Sequence, residues 1–362
     1  MRKENTKVDI TTRRISKNEI EKMLDNHKKW LEKNEENFVS IKLRQDDPKS
    51  FKNFSELRAD FSYADLSGVD LSNAQLYGAI FCNTNLRGAI LDRADLRRCN
   101  FTRADLTEVS LQKALASHSV FTGSTLIKAK MAGAQMFGSI FRESNMSKAN
   151  LHKAIAEAAN FYYATLDEAD LSYAELNRAN LMYAYICEAN LTWASLMRAN
   201  LYGANLRGSN LRTTDLCRAN LSEADLTNAD LLNAYTNGAS FYGADLNETK
   251  NIPFIPLACP SDGAFIGWKK VKKCLVKLEI PEDAKRSSAT THKCRCDKAK
   301  VLGIYTLNGN LMDLKQITNS NFCKTVYKVG EMVYPDKFDT HRFNECSNGI
   351  HFFINKEDAI TY

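Results

Sequence analysis

From Ala59 to Glu248 the chain alternates apolar and polar residues with a period of five, and the phase never slips. Stepping by five from Phe61 to Leu246 gives 38 positions, all Leu, Phe, Ile or Met except Ala116, Ala156 and Thr236. Two residues before each stands a small side chain, Ala in 28 cases and Val, Thr, Cys or Ser in the rest. A period of five matches neither a helix face nor a flat strand; it matches a tandem array. A second period of 20 shows how the array winds. Phenylalanine fills the central position at Phe61, Phe81, Phe101, Phe121, Phe141 and Phe161, and again at Phe241. A square coil with one five-residue unit per side stacks those rings over one another. Ala116, Met136 and Ala156 follow the same spacing, small–large–small, as a close-packed column requires.

The flanks break this rhythm. Residues 1–58 form an N-terminal segment, polar up to residue 15, after which Ser16-Lys17-Asn18-Glu19 reads as a capping box. Ile20, Met23, Leu24, His27, Trp30 and Leu31 follow at helical spacing, which predicts an amphipathic helix over about 16–34. Its expected role is to cover the open first coil, with partner binding as the alternative. His27 reads as a core histidine on that face. Phe38 to Leu43 reads as a short strand, and Pro48 to Arg58 as an approach to the array at 59–249. Beyond Leu246, Pro253, Pro256 and Pro260 mark a linker over 250–263. Residues 264–362 predict a small α+β domain. Ala264–Lys270, Cys274–Ile280 and Ala299–Tyr305 read as strands, Asn308–Asn310 as a turn, Val326–Tyr334 as a hairpin around Gly330, and Asn355–Ala359 as a short helix.

Units such as Ala179-Asn180-Leu181-Met182-Tyr183 carry an A(D/N)LXX pattern that resembles the pentapeptide-repeat family. The resemblance implies a mainly β fold, a right-handed quadrilateral β-helix. Over residues 59–248 that gives about 9.5 coils and a rod roughly 45 Å long at the strand spacing. Some members resemble B-form DNA in size and acidity and act on DNA gyrase, so the resemblance also implies DNA gyrase as a partner to consider. The run Cys346-Ser347-Asn348-Gly349-Ile350-His351-Phe352-Phe353 resembles an uncharacterised domain appended to bacterial and phage proteins of this family, which implies kinship of fold only.

Charge narrows the partners. The formal net charge of +6 divides into +4 over residues 1–58, −4 over 59–249 and +6 over 250–362. No segment approaches the density of a dedicated nucleic-acid binder, and −4 falls far short of a phosphate-like surface. Direct nucleic-acid binding is therefore not expected. The N-terminus lacks the apolar core of a signal peptide and no apolar run spans a bilayer. Ten cysteines without a spaced framework favour a reducing cytoplasm.

Inward residues carry packing, so function is sought outside. The residue before the central one is normally Asp or Asn, yet it is Ile80, Val120 and Ile140 on one side and Leu115 and Ile155 on the next. That apolar patch suits either the chain's own flanks or a partner, including a second copy. Arg178, Arg198 and Arg218 recur every 20 residues and suit an acidic partner or solvent. Tyr162, Tyr163, Tyr183, Tyr202 and Tyr242 crowd another edge, with Tyr173 and Trp193 stacked opposite. His292, Cys294 and Cys296 are the best metal-like cluster, three N/S ligands where structural zinc takes four, to be completed by Cys274, Cys323 or Cys346. The two thiols equally suit a buried apolar role on one strand face. His341, Cys346 and His351 could supply a nucleophile and base, but no orienting acid, oxyanion loop or phosphate-cradling glycine motif accompanies them. No cofactor is implied. The sequence therefore predicts a non-enzymatic interaction protein with partners unspecified.

Overall fold

The computed structural model describes residues 13–41, 58–252, 258–288, 291–319, 325–340 and 348–362, with the helical backbone alone over 33–41. The chain divides into two compact units, Met1–Ala244 with Glu248–Ile252, and Pro253–Tyr362 with Asp245–Asn247.

The first unit opens with β1 (Arg13–Arg14) and α1 (Lys17–Ile41), followed by the array, whose first element is β2 (Ala64–Asp65). β1 pairs parallel with β2, Arg13 opposite Ala64 and Arg14 opposite Asp65, which holds the start of the polar segment on the array. Ser16 and Glu19 form the reciprocal cap: the Ser16 N–H donates to Glu19 Oε2 at 3.0 Å and the Glu19 N–H to Ser16 Oγ at 3.3 Å. α1 continues to Ile41, so Phe38–Ile41 is helix where a strand was expected, and Lys42–Leu43 lie outside the described residues. No Gly or Pro interrupts residues 17–41, and each added helical residue gains a backbone hydrogen bond once the helix is nucleated. The buried face of α1 is Ile20, His27 and Trp30.

In the array each bridge joins residue i to i+20, from Asp60↔Ile80 onward, always parallel. The backbone accounting explains the five-letter unit. The central N–H donates to the next coil (Phe61 N–H to Ile80 O, 2.8 Å) and the bridge N–H to the preceding one (Ile80 N–H to Ala59 O, 3.0 Å). The small residue closes the turn (Ala64 N–H to Phe61 O, 3.0 Å), and the third turn residue also reaches across (Tyr63 N–H to Cys82 O, 3.0 Å). One N–H remains, and the Asp or Asn side chain takes it: Ser62 N–H donates to Asp60 Oδ1 at 2.9 Å, Thr102 N–H to Asn100 Oδ1 at 3.0 Å. All five donors are satisfied, which is why Asp or Asn recurs at the bridge position. The third turn residue takes φ near +60° whether it is Arg, Tyr, Glu or Gly. That left-handed conformation costs about 1 kcal/mol for a residue with a Cβ.

Inside, the Phe61–Phe161 rings stack with centroids 4.7–5.0 Å apart and interplanar angles of 5–14°. Ala116, Met136 and Ala156 are buried in one column. Each buried Leu or Phe contributes on the order of 2 kcal/mol. Where Ser or Thr replaces the small Ala, its hydroxyl usually finds a carbonyl, as Thr84 Oγ1 does with Phe61 O (2.7 Å) and Ser119 Oγ with Leu96 O (2.6 Å); Ser209 Oγ is an exception, buried without a partner.

The second unit holds β3 (Phe265–Val271), β4 (Cys274–Ile280), β5 (Arg286–Ser288), β6 (Lys293–Cys296), β7 (Ala299–Thr306), β8 (Gln316–Thr318), β9 (Val326–Lys328), β10 (Met332–Val333), β11 (Ile350–Phe353) and α2 (Lys356–Thr361). Seven strands form one antiparallel sheet in the order β10-β7-β4-β3-β11-β6-β5, and β8 pairs with β9. Its main core includes Val276, Leu278, Ile280, Cys294, Val301 and Phe352. The expected hairpin over Val326–Tyr334 does not form. β9 pairs with β8 while β10 pairs with β7, because two- and three-residue strands take their partner from wherever apolar cover is available. Among the described residues of this unit α2 is the sole helix, at the place where the short helix over Asn355–Ala359 was expected.

Candidate interaction surface

The apolar and arginine features found in the sequence converge on one corner of the array, the turns at 77–78, 97–98, 117–118 and so on to 217–218, with the aromatic ladders on the corners to either side. α1 occupies the start of that corner. Its Trp30 ring reaches Gly78, where an added Cβ would lie 3.6 Å from the indole. Beside it His27 is fully buried, stacks on Trp30 with centroids 5.1 Å apart, and accepts the Ala59 N–H on Nδ1 at 3.1 Å. Burial, and then the charge of Arg58, push its pKa down to about 4, so the ring is neutral.

Farther along, apolar residues occupy bridge positions on both sides of the corner. Leu115 and Ile155 share one side with Gln135 between them; Val120 and Ile140 bridge directly on the other, with Ile80 set apart by Asn100. These five residues cannot accept the turn N–H that Asp or Asn captures elsewhere. Each such substitution forgoes a hydrogen bond worth about 1 kcal/mol, so the coil itself does not ask for them. Ile155 is 36% exposed and the other four are half-buried. Phe137, 43% exposed, stands at the turn between the two sides and joins them. Sequence reasoning missed Phe137. Its signal was an aromatic residue directly after a central Met in an outward slot. His118 leans over Gly138, where a Cβ would lie 2.9 Å from Nδ1, and meets Phe137 edge-on at 5.5 Å.

The corner carries Arg97 and Arg98 near its start and becomes cationic again past Ala158. Arg178, Arg198 and Arg218 stand at the left-handed turn position of successive coils, all exposed. Arg178 pairs with Glu157 at 3.7 Å; among the described residues Arg198 and Arg218 form no ion pair. The two sides flanking these arginines differ. One carries Asn180, Asn200 and Asn220 and is neutral; the other carries Glu175, Ser195 and Asp215. On the far edge of the asparagine side, Tyr163 and Tyr183 stack at 5.2 Å and Tyr202 meets Tyr183 edge-on at 5.7 Å. Across the acidic side, Tyr173 and Trp193 stack at 6.2 Å.

The second unit separates the metal-like cluster. Cys294 and Cys296 are fully buried in the core, whereas the largely exposed His292 points Nδ1 at Asp358 of α2, 3.2 Å away. Among the described residues no three His, Cys, Asp or Glu side chains converge on a metal-sized site. Cys323, His341 and Cys346 lie outside the described residues; His351 lies on β11 opposite Arg295. Sequence reasoning also missed Cys259. Hydrogen bonding from Cys294 and then Ser288, with Arg286 nearby, holds its thiol below the ordinary thiol range against the opposing effect of burial. At 3% exposure it packs in the core and no substrate reaches it. Among the described residues, no helix is long and apolar enough to cross a membrane.

The comparisons with known proteins divide at the same place as the units. A model for pentapeptide repeats matches residues 64–103, 104–142, 144–182, 174–212 and 219–250. A family of unknown function, DUF5758, matches residues 255–359. No curated protein is significantly similar to the chain. Among solved structures, HetL, a pentapeptide repeat protein involved in heterocyst differentiation regulation in the cyanobacterium Nostoc sp. strain PCC 7120, is 26% identical, covering 54% of this chain and 92% of HetL, with a TM-score of 0.32. QnrB1, a plasmid-mediated fluoroquinolone resistance protein, is 18% identical over 53% of this chain and 91% of its own, with a TM-score of 0.32. A further pentapeptide repeat protein of Nostoc, alr5209, is 32% identical over 29% of this chain and 83% of its own, with a TM-score of 0.24.

Proposed function

The chain belongs to the pentapeptide-repeat family and carries a DUF5758 domain, and on that premise we propose that it is a non-enzymatic scaffold for protein interaction. In this reading residues 59–249 form a right-handed quadrilateral β-helix of about 9.5 coils at 20 residues per coil, with α1 as its N-terminal cap. The rod presents one corner to partners and displays the domain at 264–362 as a second binding module, working in a reducing compartment such as the cytoplasm.

One observation carries the reading. Inward positions are occupied by packing and Asp or Asn bridge positions by turn capping, yet Leu115, Val120, Ile140 and Ile155 give up that capping bond to place apolar side chains around one corner. Stacked, half-buried pairs such as Val120 and Ile140 recover part of that loss within the sheet, but the exposed Ile155 and Phe137 gain their cover only at an interface. Catalysis is less well supported: the histidines and thiols described in the second unit do not meet in a cleft, and Cys259 is sealed in the core. The alternative role, modulation of DNA gyrase by mimicry of DNA, asks for a dense negative surface, which a formal −4 over residues 59–249 does not provide.

The test is affinity purification from native lysate with the full chain and with a chain ending before residue 255. Reproducible recovery of the same protein by the full chain supports the scaffold. Repeated recovery of nothing above background refutes it, and loss on truncation assigns the contact to the C-terminal domain.

A further inference from the structure

We propose that the corner running from Phe137 to Arg218 docks one elongated segment of a partner protein, apolar at the end that meets Phe137 and rich in carboxylates at the end that meets the arginines. The inference deepens the scaffold reading and rests on it.

The strip is continuous. Phe137, the turn at 157–158, Arg178, Arg198 and Arg218 occupy the same corner of five successive coils, four steps of ~4.8 Å, or on the order of 20 Å in all. Its first part is an anchor: Phe137 is 43% exposed, propped edge-on by His118, and flanked by Ile140 on one side and Ile155 on the other. On the next coil Ala158, small and exposed, leaves the ground beside Phe137 uncovered, while His118 covers Gly138. Its second part is a ladder of like charges with no internal neutralisation beyond Arg178–Glu157. Arg218 leans over Gly238, its Cγ 3.4 Å from where a Cβ would lie, and there the ladder ends. Guanidinium groups one strand spacing apart repel, and a carboxylate seated between two of them relieves that repulsion with one oxygen to each.

The flanks decide both the side and the class of occupant. Glu175 and Asp215 line one side, so an acidic segment is driven toward the neutral side of Asn180, Asn200 and Asn220, where Tyr183 and Tyr202 form the far wall. A nucleic acid has phosphates for the arginines and a base to stack on Phe137, but Ile140 and Ile155 offer no ring face for a base and the array is net negative. A protein segment satisfies both ends. Trp, Tyr, Arg and Met are also the side chains enriched at protein interfaces, and Met197, 40% exposed, lies beside Arg198.

The experiment uses the full chain and a fluorescein-labelled peptide of about 12 residues, long enough to span the strip as a helix, with Leu and Phe in its first half and Asp and Glu in its second. The same peptide with Lys for every acid, and a single-stranded oligodeoxythymidine, serve as comparisons. Proteins are the parent, an Arg198→Ala/Arg218→Ala double variant, Phe137→Ser, and Arg93→Ala/Arg103→Ala, which removes equal charge from other corners. All substituted side chains stand at turn positions outside the core, and circular dichroism verifies folding. The acidic peptide should bind the parent, weaken about tenfold in the ladder variant and in Phe137→Ser, and remain unchanged in the charge-matched control. The proposal is overturned if the peptide does not bind, if all variants bind alike, if the lysine peptide or the oligonucleotide binds through the same arginines, or if the same substitutions abolish self-association of the chain instead. A partner recovered by the full chain in a way indifferent to these substitutions leaves the scaffold standing and removes this corner from it.

Discussion

His27 offers a quantitative test of how α1 is held on the array. Its ring is fully buried and accepts the Ala59 N–H at Nδ1, so only the neutral form fits. A proton on Nδ1 would turn that acceptor into a donor facing a donor, beside the charge of Arg58. Burial first and Arg58 second lower its pKa from 6.5 to about 4. The folded value lies below the unfolded one, so the unfolded or undocked chain binds the extra proton. Stability is therefore fully present above the unfolded pKa and is lost as pH falls toward the folded one. The full difference is worth about 3 kcal/mol, and about 2 kcal/mol should be gone by ~pH 5. Denaturant unfolding at ~pH 7.5 and ~pH 5, followed by Trp30 fluorescence in a Trp193→Phe/Trp268→Phe background, measures it, with His27→Gln as the variant that cannot titrate. The parent should lose about 2 kcal/mol more than the variant between the two conditions. If the two proteins lose stability in parallel, to within about 0.5 kcal/mol, the buried neutral role of His27 is wrong.

Three further outcomes are expected. Leu191→Lys and Ala179→Arg place a charge in fully buried sites and should each cost several kcal/mol, on the order of 4 or more; thermal melts matching the parent would refute the inward assignment. Gly203→Ala should cost more than Gly88→Ala in the same melts. Both carry φ near +64°, but an added Cβ at residue 203 would lie 2.6 Å from the Tyr183 ring whereas nothing lies within 4 Å at residue 88. The second should lose only about 1 kcal/mol, and equal losses would show that the Tyr183 ring moves freely. A DNA gyrase supercoiling assay should be indifferent to a stoichiometric amount of the chain; inhibition or protection at that ratio would revive the DNA-mimicry reading.

Much of the array was legible because its geometry imposes a strict rule on residue size. Only small side chains fit beside Phe101 or Leu191, so the period of five and the Phe column at 20 both survive in the sequence. The turn conformation was not legible. Arg178, Tyr183, Trp193 and Glu188 all take φ near +60°, and no residue type announces a left-handed turn when the surrounding hydrogen bonds offset its cost. The reason for Asp or Asn at the bridge position emerged only with the N–H accounting at Ser62 and Thr102, which in turn gave meaning to the exceptions at Leu115 and Ile140. Phe137 escaped notice because a single outward aromatic carries no period.

The second unit was legible strand by strand and not beyond. β3, β4 and β7 alternate in the sequence as they do in the sheet, with Val276, Leu278 and Ile280 inward. The pairing of β10 with β7, and of β11 between β3 and β6, joins segments far apart in the chain, while β9 pairs back onto nearby β8 instead of forward onto β10. Local pattern does not encode such contacts. The cluster His292-Lys293-Cys294-Arg295-Cys296 shows the same limit. Alternation on β6 placed both thiols on one face as expected, while the neighbouring histidine turned to Asp358.

The central claim, that this chain works by holding other proteins, is tested most directly by quantitative affinity purification with the full chain and the Arg198→Ala/Arg218→Ala variant side by side. The account predicts that the parent repeatedly recovers the same protein and that the variant, equally folded, recovers about tenfold less of it. Repeated purifications in which the parent enriches no protein above background would contradict it.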